Sequence, residues 1–186
     1  MKVGTDSLDL DAIDFQILGI LQVNGRIPLV KLGELVGLSA PSVNERVKKL
    51  EDGAIITGYH ASVDARRLGK DVCAFIGVSI AHPKTIALFE EAVALMGDVL
   101  ECHHVTGEHT LMLKVKTANT SSLEQLISKI RSIEGVARTE TMVVLSTHTE
   151  RGIIAVGHDG DAHETANGHR RRHSALKSAN PEARRA

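Results

Sequence analysis

The sequence predicts an α+β protein in which an N-terminal winged helix-turn-helix precedes a ferredoxin-like βαββαβ domain. Three observations predict this fold class. Apolar residues recur at helical spacing through residues 8–53, in short runs that end at glycine or Asn-Gly. Beyond residue 71 the pattern becomes that of strands and helices in the order β-α-β-β-α-β. From residue 157 onward no apolar period remains.

Composition limits the class of protein. The 186 residues allow one or two compact domains, and 22 Lys and Arg against 23 Asp and Glu leave a formal net charge of −1. A surface that binds nucleic acid must therefore be local. Two cysteines are too few for a disulfide framework, and the chain shows neither a signal peptide nor an apolar run that would span a bilayer. We expect a cytoplasmic protein that does not contact membranes.

Capping residues divide the N-terminal part into three helices. Asp11 can cap the first helix, and Asn24-Gly25 can end it. A second helix ends at Gly37, and a third begins after the N-cap Ser39 and runs to Gly53. Two short helices joined by a tight turn that contains glycine are typical of a helix-turn-helix.

The residues after the third helix lead out of this domain. The segment 55–61 is rich in β-prone residues and can pair either as a wing or as a strand leading away. We therefore expect the helix-turn-helix DNA-binding domain to span residues 8–62. The polar stretch around Arg66 and Arg67 then predicts a linker over residues 63–71.

Residues 72–150 are expected to form the ferredoxin-like domain. Strands are predicted at 72–81, 99–106, 111–116 and 136–146, and helices at 83–96 and 121–133. In this arrangement both helices cover one face of a four-stranded antiparallel sheet. Because the other face must also be covered, we expect a homo-oligomer in which partner sheets supply the cover.

Residues 157–186 are expected to form a disordered basic tail. The segment is polar, lacks an apolar period and carries the run His169-Arg170-Arg171-Arg172-His173. A flexible basic arm can raise non-specific DNA affinity through counterion release. A solvated extension without a role is an equally open interpretation.

Several short motifs follow one another in a fixed order along the chain. They are Asp11-x-x-Asp14, Gly25-Arg26, Gly37-Leu38-Ser39 with Arg46-Val47 and Leu50-Glu51, and Glu101-Cys102-His103 ahead of Gly107. With a helix-turn-helix in front of βαββαβ, this pattern resembles the Lrp/AsnC (feast/famine) family of transcriptional regulators. The resemblance extends from about Leu8 to about Glu150.

The resemblance implies DNA-binding homodimers that assemble further, often to octamers. It also implies that a small-molecule effector, often an amino acid, binds between ferredoxin-like domains. The expected partners are therefore double-stranded DNA, an effector and further copies of this chain, with an octamer as the favoured assembly. No cofactor is expected.

The third helix carries the residues expected to contact DNA. Val43, Val47 and Leu50 repeat at helical spacing and should face inward. A helix that presents short polar side chains and cations outward can enter the major groove. The predicted contacts are the base readers Ser39, Ser42 and Asn44, the phosphate contacts Arg46, Lys48 and Lys49, and Glu45 on the same face. An ordinary solvated helix face is the alternative.

The stretch ECHHVTGEHT, residues 101–110, brings a thiol, imidazoles and carboxylates close together. In a hairpin with a short loop, His104 would face Leu113 and Cys102 would face Val115. A metal needs three or four converging ligands, and only Cys102 and His104 converge, so no metal site is expected within this hairpin. An ion that bridges an interface is left open. Cys102 is expected to be a small buried hydrophobe, and without a third catalytic group we expect no enzyme.

The hairpin loop is the expected effector site. In the family that the chain resembles, the matching loop reads Gly-Asp-aromatic-Asp and holds the ammonium and carboxylate of an amino acid. Glu108 could pair with an ammonium and Thr110 with a carboxylate, and Thr139 and Thr141 could reach in from across an interface. An ordinary hairpin turn is the alternative. The expected effector-binding residues are Gly107, Glu108, His109, Thr110, Thr139 and Thr141.

These expectations define a leading function and two rivals. The leading function is a sequence-specific DNA-binding transcriptional regulator whose C-terminal domain assembles the oligomer and senses an amino acid or a related metabolite. The first rival is an architectural DNA-binding protein that responds to no effector. The second rival is the regulatory subunit of an amino-acid enzyme, in which the N-terminal helices bind protein instead of DNA.

Overall fold

The computed structural model of the chain describes residues 9–156. These residues divide into two compact units: residues 9–61 with 151–156 form the first, and residues 62–150 form the second. The predicted tail at 157–186 lies outside the described residues. No helix in the described part of the chain has the length and apolar character that crossing a bilayer requires.

Three helices build the first unit, and their ends follow the predicted caps. They are α1 (Ala12–Val23), α2 (Leu29–Val36) and α3 (Ala40–Asp52). The Asp11 carboxylate accepts hydrogen bonds from the backbone N–H groups of Ile13 and Asp14, and the Asp14 carboxylate accepts one from the N–H of Asp11. Gly37 ends α2 in the left-handed region at φ 72°, and Ser39 caps α3. The buried core comprises Ile17, Leu18, Leu32, Val36, Val43, Val47 and Leu50.

The predicted wing does not form in residues 55–61, all of which the structure describes. The backbone N–H groups of Ile55 and Ile56 both donate to the carbonyl of Leu50, at 2.9 and 3.0 Å, and so close the end of α3. The following residues run on without strand pairing. β-prone side chains form a strand only where another strand accepts their backbone hydrogen bonds, and the described residues of this unit form no such strand.

Residues 151–156 belong by contact to the first unit, although they follow the sheet domain in sequence. The side-chain amide of Gln22 makes two hydrogen bonds with the backbone of Ile154. It donates to the carbonyl at 3.0 Å and accepts from the N–H at 2.8 Å. Val156 packs against the helical core, beside Gly19 of α1. Residues 151–156 are therefore a structural part of the helix-turn-helix unit.

The second unit has the predicted βαββαβ order. Its elements are β1 (Val72–Ile80), α4 (Ile86–Ala94), β2 (Val99–His104), β3 (Leu111–Thr117), α5 (Thr120–Arg131) and β4 (Val136–Val143). The strands lie in the order β2-β3-β1-β4, and every neighbouring pair is antiparallel. This is the ferredoxin-like arrangement, so the predicted α+β fold class is confirmed except for the wing. Helix α4 begins later than predicted because Pro83–Thr85 form a 3-10 turn.

The two faces of the sheet differ in character. Helices α4 and α5 pack on one face, where the core comprises Ala74, Ile76, Val78, Phe89, Val93, Leu111, Leu113, Val115, Leu123, Leu126 and Ile130. On the opposite face, Phe75 and Met142 are direct neighbours across β1 and β4. Their exposures of 37% and 44% are high for large apolar side chains. This face carries the ion pairs described below.

The β2–β3 hairpin has a register that differs from the predicted one. His104 pairs with Leu111 and Cys102 with Leu113, two residues away from their predicted partners. The reason is that the loop is longer than expected and spans residues 105–110. Because side chains alternate with a period of two, a shift of two residues leaves each side chain on its predicted face.

Candidate nucleic-acid interface and ligand site

One side of α3 is buried and the other is open. The three apolar residues predicted to face inward are all buried. Asn44, Glu45, Lys48 and Lys49 are exposed on the other side. Among residues 9–156, the side chains of Asn44, Glu45 and Lys48 form no hydrogen bond or ion pair with one another or with other groups. Polar and charged groups on this side are therefore available to an external partner.

Three of the residues predicted to contact DNA form hydrogen bonds within the first unit. The Ser39 hydroxyl accepts from the backbone N–H of Ser42 at 3.3 Å and lies 2.9 Å from the Ser42 hydroxyl. The ammonium of Lys49 donates to the backbone carbonyl of Asp9 at 3.3 Å. Ser39 and Lys49 are exposed and Ser42 is half-buried, so all three remain at the surface.

Arg46 is bonded to two carboxylates of the first unit. Its Nη1 donates to Asp11 Oδ2 at 2.7 Å and to Asp14 Oδ1 at 2.8 Å, and only 2% of the Asp14 side chain is exposed. These bonds tie α3 to the beginning of α1. They raise the pKa of Arg46, while the backbone hydrogen bond from Asp14 and the Arg46 guanidinium lower the pKa of Asp11. Both hydrogen bonds use Nη1, and 30% of the Arg46 side chain is exposed, so the phosphate contact predicted for Arg46 stays a prediction.

The side chain of His109, in the hairpin loop of the second unit, lies across the neighbouring strand β1. A Cβ atom at Gly77 would collide with the His109 ring, so the ring occupies the space that the missing side chain leaves. His109 Nδ1 lies 3.5 Å from Ser79 Oγ, and Nε2 lies 3.5 Å from Glu140 Oε2 on β4. The His109 side chain is only 12% exposed. The loop and β4 therefore meet on the face of the sheet that carries no helix core.

Arg138 links the loop to β4. Its guanidinium donates to Glu108 at 2.7 Å and to Glu140 at 3.3 Å. Arg138 and Glu140 were not predicted as site residues. Their alternation on one face of β4 was readable from the sequence, but their closeness to the loop depends on the strand order, which places only β1 between them.

The other predicted effector residues do not converge with this cluster. Thr139 and Thr141 pair directly with Val78 and Ile76 and so lie on the face that the helices cover. The hydroxyl of Thr110 accepts from the backbone N–H of Ile80 at 3.1 Å. Gly107 is exposed with a positive φ of 117°. Within one chain, Glu108 and His109 are the predicted effector residues that the structure brings together.

Cys102 is exposed, which corrects the prediction that it is buried. The reason is that β2 is an edge strand, whose side chains the helices cover only partly. His104 pairs with Glu90 of α4 at 3.3 Å. Desolvation and the nearby Glu90 raise the pKa of the Cys102 thiol. A thiol with a raised pKa stays protonated at neutral pH, which is the opposite of what a nucleophile requires.

The fold and the two surfaces define a class of protein. A helix-turn-helix with an open polar and cationic side, joined to a ferredoxin-like domain with a charged loop cluster, is a DNA-binding transcriptional regulator with its own ligand-binding domain. Family models agree: residues 10–51 match the AsnC-type helix-turn-helix domain, and residues 73–154 match the Lrp/AsnC ligand binding domain. The chain belongs to the Lrp/AsnC family of transcriptional regulators, as the sequence motifs indicated.

Several transcriptional regulators are similar to this chain over most of their length. An uncharacterized HTH-type transcriptional regulator of Bacillus subtilis, YezC, is 41% identical over 138 residues, which are 74% of this chain and 95% of that protein. The leucine-responsive regulatory protein of Rhizobium meliloti is 38% identical over 141 residues, 74% of this chain and 90% of its own. A transcriptional regulator of Neisseria meningitidis, solved in complex with L-Met, has 30% identity and a TM-score of 0.76, with 78% of this chain and 96% of that chain covered.

Proposed function

We propose that this regulator reads specific duplex sequences with the open side of α3. The observation that carries the proposal is the orientation of this helix. Arg46 holds it against α1, so Asn44 and Lys48 point away from the core with no partner among the described residues. Asn44 suits a base edge in the major groove, and Lys48 and Lys49 suit phosphates. Ser39, Ser42 and Glu45 complete the contact surface.

A single copy of this surface should bind weakly, because Glu45 offsets part of the charge of Lys48 and Lys49. Two copies held about one helical turn of DNA apart would read two half-sites together. We propose that the apolar patch of Phe75 and Met142 on this sheet face forms the contact between copies, and that the loop end of the face, with Arg138 and Glu108, stays open to solvent. A homodimer is the minimum assembly in this proposal, and an octamer is the favoured larger one.

DNA binding is tested with the full chain and its own upstream DNA in a gel-shift assay. The variant Asn44→Ala/Lys48→Ala/Lys49→Ala should lose binding by at least about tenfold, because it removes one base contact and two phosphate contacts per copy. The matched control is Lys84→Ala/Lys129→Ala, which removes two lysines from the other unit and should bind like the wild type. Equal affinities for both variants would contradict the proposal.

The assembly is tested by light scattering. Phe75→Glu should shift the protein toward the monomer, because it places a charge in an apolar contact. Leu95→Glu is the control, since Leu95 is 89% exposed at the end of α4 on the helix side of the sheet. If Phe75→Glu has the same mass as the wild type, the contact between copies must lie on another surface.

We also propose that the effector is an amino acid. The family model describes a ligand-binding domain, and the Neisseria neighbour was solved with L-Met. In this chain, the Arg138 guanidinium can donate hydrogen bonds to a carboxylate, and the Glu108 and Glu140 carboxylates can accept hydrogen bonds from an ammonium. The ligand would act through different affinities for two assembly states, which changes how the α3 helices are spaced.

Calorimetry with the twenty amino acids tests the effector. At least one should release heat, and Arg138→Gln should weaken its binding by about tenfold or more, because the carboxylate loses a charge-assisted partner. His103→Asn is the control, since His103 is exposed on the same sheet and pairs with Glu101 instead. An absence of heat with every amino acid would favour an architectural DNA-binding protein without an effector.

A further inference from the structure

We propose that Glu108, His109 and Glu140 bind a divalent transition-metal cation of the Zn²⁺ class. Among the described residues, these three side chains offer ligand atoms that all lie within 4.8 Å of one another. One imidazole nitrogen with two carboxylates is a set that Zn²⁺ accepts, and a fourth position remains for water. The proposal goes beyond the amino-acid effector, although it shares Glu108 and His109 with that site.

Two of the ligand atoms already stand at a suitable separation. His109 Nε2 lies 3.5 Å from Glu140 Oε2. In a tetrahedral shell with bonds of about 2.0–2.1 Å, neighbouring ligand atoms are about 3.4 Å apart. A cation can therefore enter between these two side chains while the strands that carry them stay in place. Glu108 supplies the third ligand from the exposed loop, where it can rotate inward.

The surroundings of His109 orient it for this role. Ser79 Oγ lies 3.5 Å from Nδ1, on the side of the ring away from Glu140. Histidines that bind metals commonly have the second ring nitrogen held by a polar group, which selects the tautomer and fixes the ring. The absence of a side chain at Gly77 lets the ring lie flat across β1 and reach β4. These features position Nε2, the atom that would bind the cation.

Arg138 competes with the cation for the same carboxylates. Its guanidinium bonds to Glu108 at 2.7 Å and to Glu140 at 3.3 Å. Because a guanidinium and a metal ion cannot share these oxygens fully, cation binding requires Glu108 to leave Arg138. The Arg138 and Glu108 side chains are 59% and 67% exposed, so this ion pair is weak enough to exchange. Removing Arg138 should therefore tighten cation binding.

The test is a titration of the full chain with Co²⁺, which replaces Zn²⁺ and reports its own coordination by visible absorption. Amino acids are left out of the buffer. His109→Asn keeps a polar atom near Ser79 but loses Nε2, and it should weaken Co²⁺ binding by at least about tenfold. Arg138→Gln should tighten binding by about threefold or more.

The matched control is His103→Asn. His103 also pairs with a glutamate, Glu101 at 3.1 Å, but it has no second carboxylate in a three-ligand group among the described residues. The control also retains the histidines of residues 157–186, so any Co²⁺ they take is common to all variants. Binding that is equal in His109→Asn and His103→Asn, or no absorption change in the wild type, would overturn the proposal.

One variant distinguishes the two proposed ligands of this region, because it should change their affinities in opposite directions. Arg138→Gln should weaken binding of an amino acid and tighten binding of Co²⁺. Calorimetry with amino acids in a buffer that contains a metal chelator reports the first effect alone. If the wild type binds an amino acid but shows no Co²⁺ absorption, the cation is rejected and the effector is kept. If it shows Co²⁺ absorption but binds no amino acid, the effector is rejected and the cation is kept.

Discussion

Two arginines of this chain each bridge a pair of carboxylates, and the two clusters differ in burial. Arg46 joins Asp11 and Asp14 at 2.7 and 2.8 Å, and the Asp14 side chain is 2% exposed. Arg138 joins Glu108 and Glu140 at 2.7 and 3.3 Å, and every side chain in this second cluster is at least 45% exposed. The chemical groups are alike, so the difference in their roles arises from the surroundings.

The comparison shows that the position of an ion pair decides its use. Around Asp14, water cannot replace the guanidinium, so removing one partner leaves a buried charge without compensation. Around Glu108, water or another cation can take the place of the guanidinium at little cost. The first cluster is therefore suited to hold two helices together. The second is suited to exchange partners, as a ligand site requires.

The largest expected effect comes from Asp14→Asn. It should destabilise the helix-turn-helix unit by about 2 kcal/mol, because a buried charge-assisted hydrogen bond to Arg46 is lost. Chemical denaturation measures the change. Glu140→Gln, the corresponding change in the exposed cluster, should cost less than about 0.5 kcal/mol. Similar losses for both variants would contradict the distinction between the clusters.

Removing uncharged hydrogen bonds in the first unit should have an intermediate effect on the free energy of unfolding. Gln22→Ala removes both hydrogen bonds to the backbone of Ile154 and should cost about 1 kcal/mol. Hydrogen exchange should show faster exchange at the Ile154 amide, which loses its acceptor. Gln125→Ala, at an exposed position of α5, should change neither quantity. An Ile154 amide that exchanges equally fast in wild type and Gln22→Ala would show that these hydrogen bonds do not hold the segment.

Arg138→Gln should have a smaller effect on stability than either variant above. We expect a change below about 0.5 kcal/mol, because the exposed ion pairs it removes are screened by water. Thermal unfolding measures it, and a gel shift in the absence of effector should match the wild type. A loss above about 1.5 kcal/mol would mean that this cluster, like that of Arg46, serves mainly to hold the fold.

Acid titration should give the smallest effect. In the second unit, hydrogen bonds from His103 and then Lys114 lower the pKa of Glu101, and Lys114 lowers the pKa of Glu150. The unfolded state therefore binds protons at a higher pH than the folded state. The stabilisation is complete above the ordinary glutamate pKa and is lost as the pH falls through the lowered values. Unfolding measured against pH should show this loss, and Lys114→Met should reduce it.

Much of the fold was predictable because its causes lie close together in sequence. Asp11 and Ser39 cap the helices through neighbouring backbone N–H groups, and Gly37 ends α2 at a positive φ. The alternation of strands and helices after residue 71 depended on apolar periods of a few residues. The prediction of a wing over residues 55–61 was wrong, because a strand needs a partner strand and local propensity does not supply one.

The candidate sites were predictable only in part. The exposed side of α3 followed from its helical period, so Asn44, Glu45, Lys48 and Lys49 are open as expected. The partner of Arg46 was not predictable, because Asp14 lies 32 positions away and meets it only when α1 and α3 pack. For the same reason, the sequence did not show which face of the sheet Thr139 and Thr141 would share.

Sequence by itself determined the caps, the helical and strand periods, their order and, through its motifs, the family. Those features depend on contacts between residues a few positions apart, which the order of residues specifies directly. Tertiary structure alone decided that Arg46 fastens two helices and that His109 crosses Gly77 to meet Glu140. Such contacts depend on strand order and helix packing, which bring together side chains that are far apart along the chain.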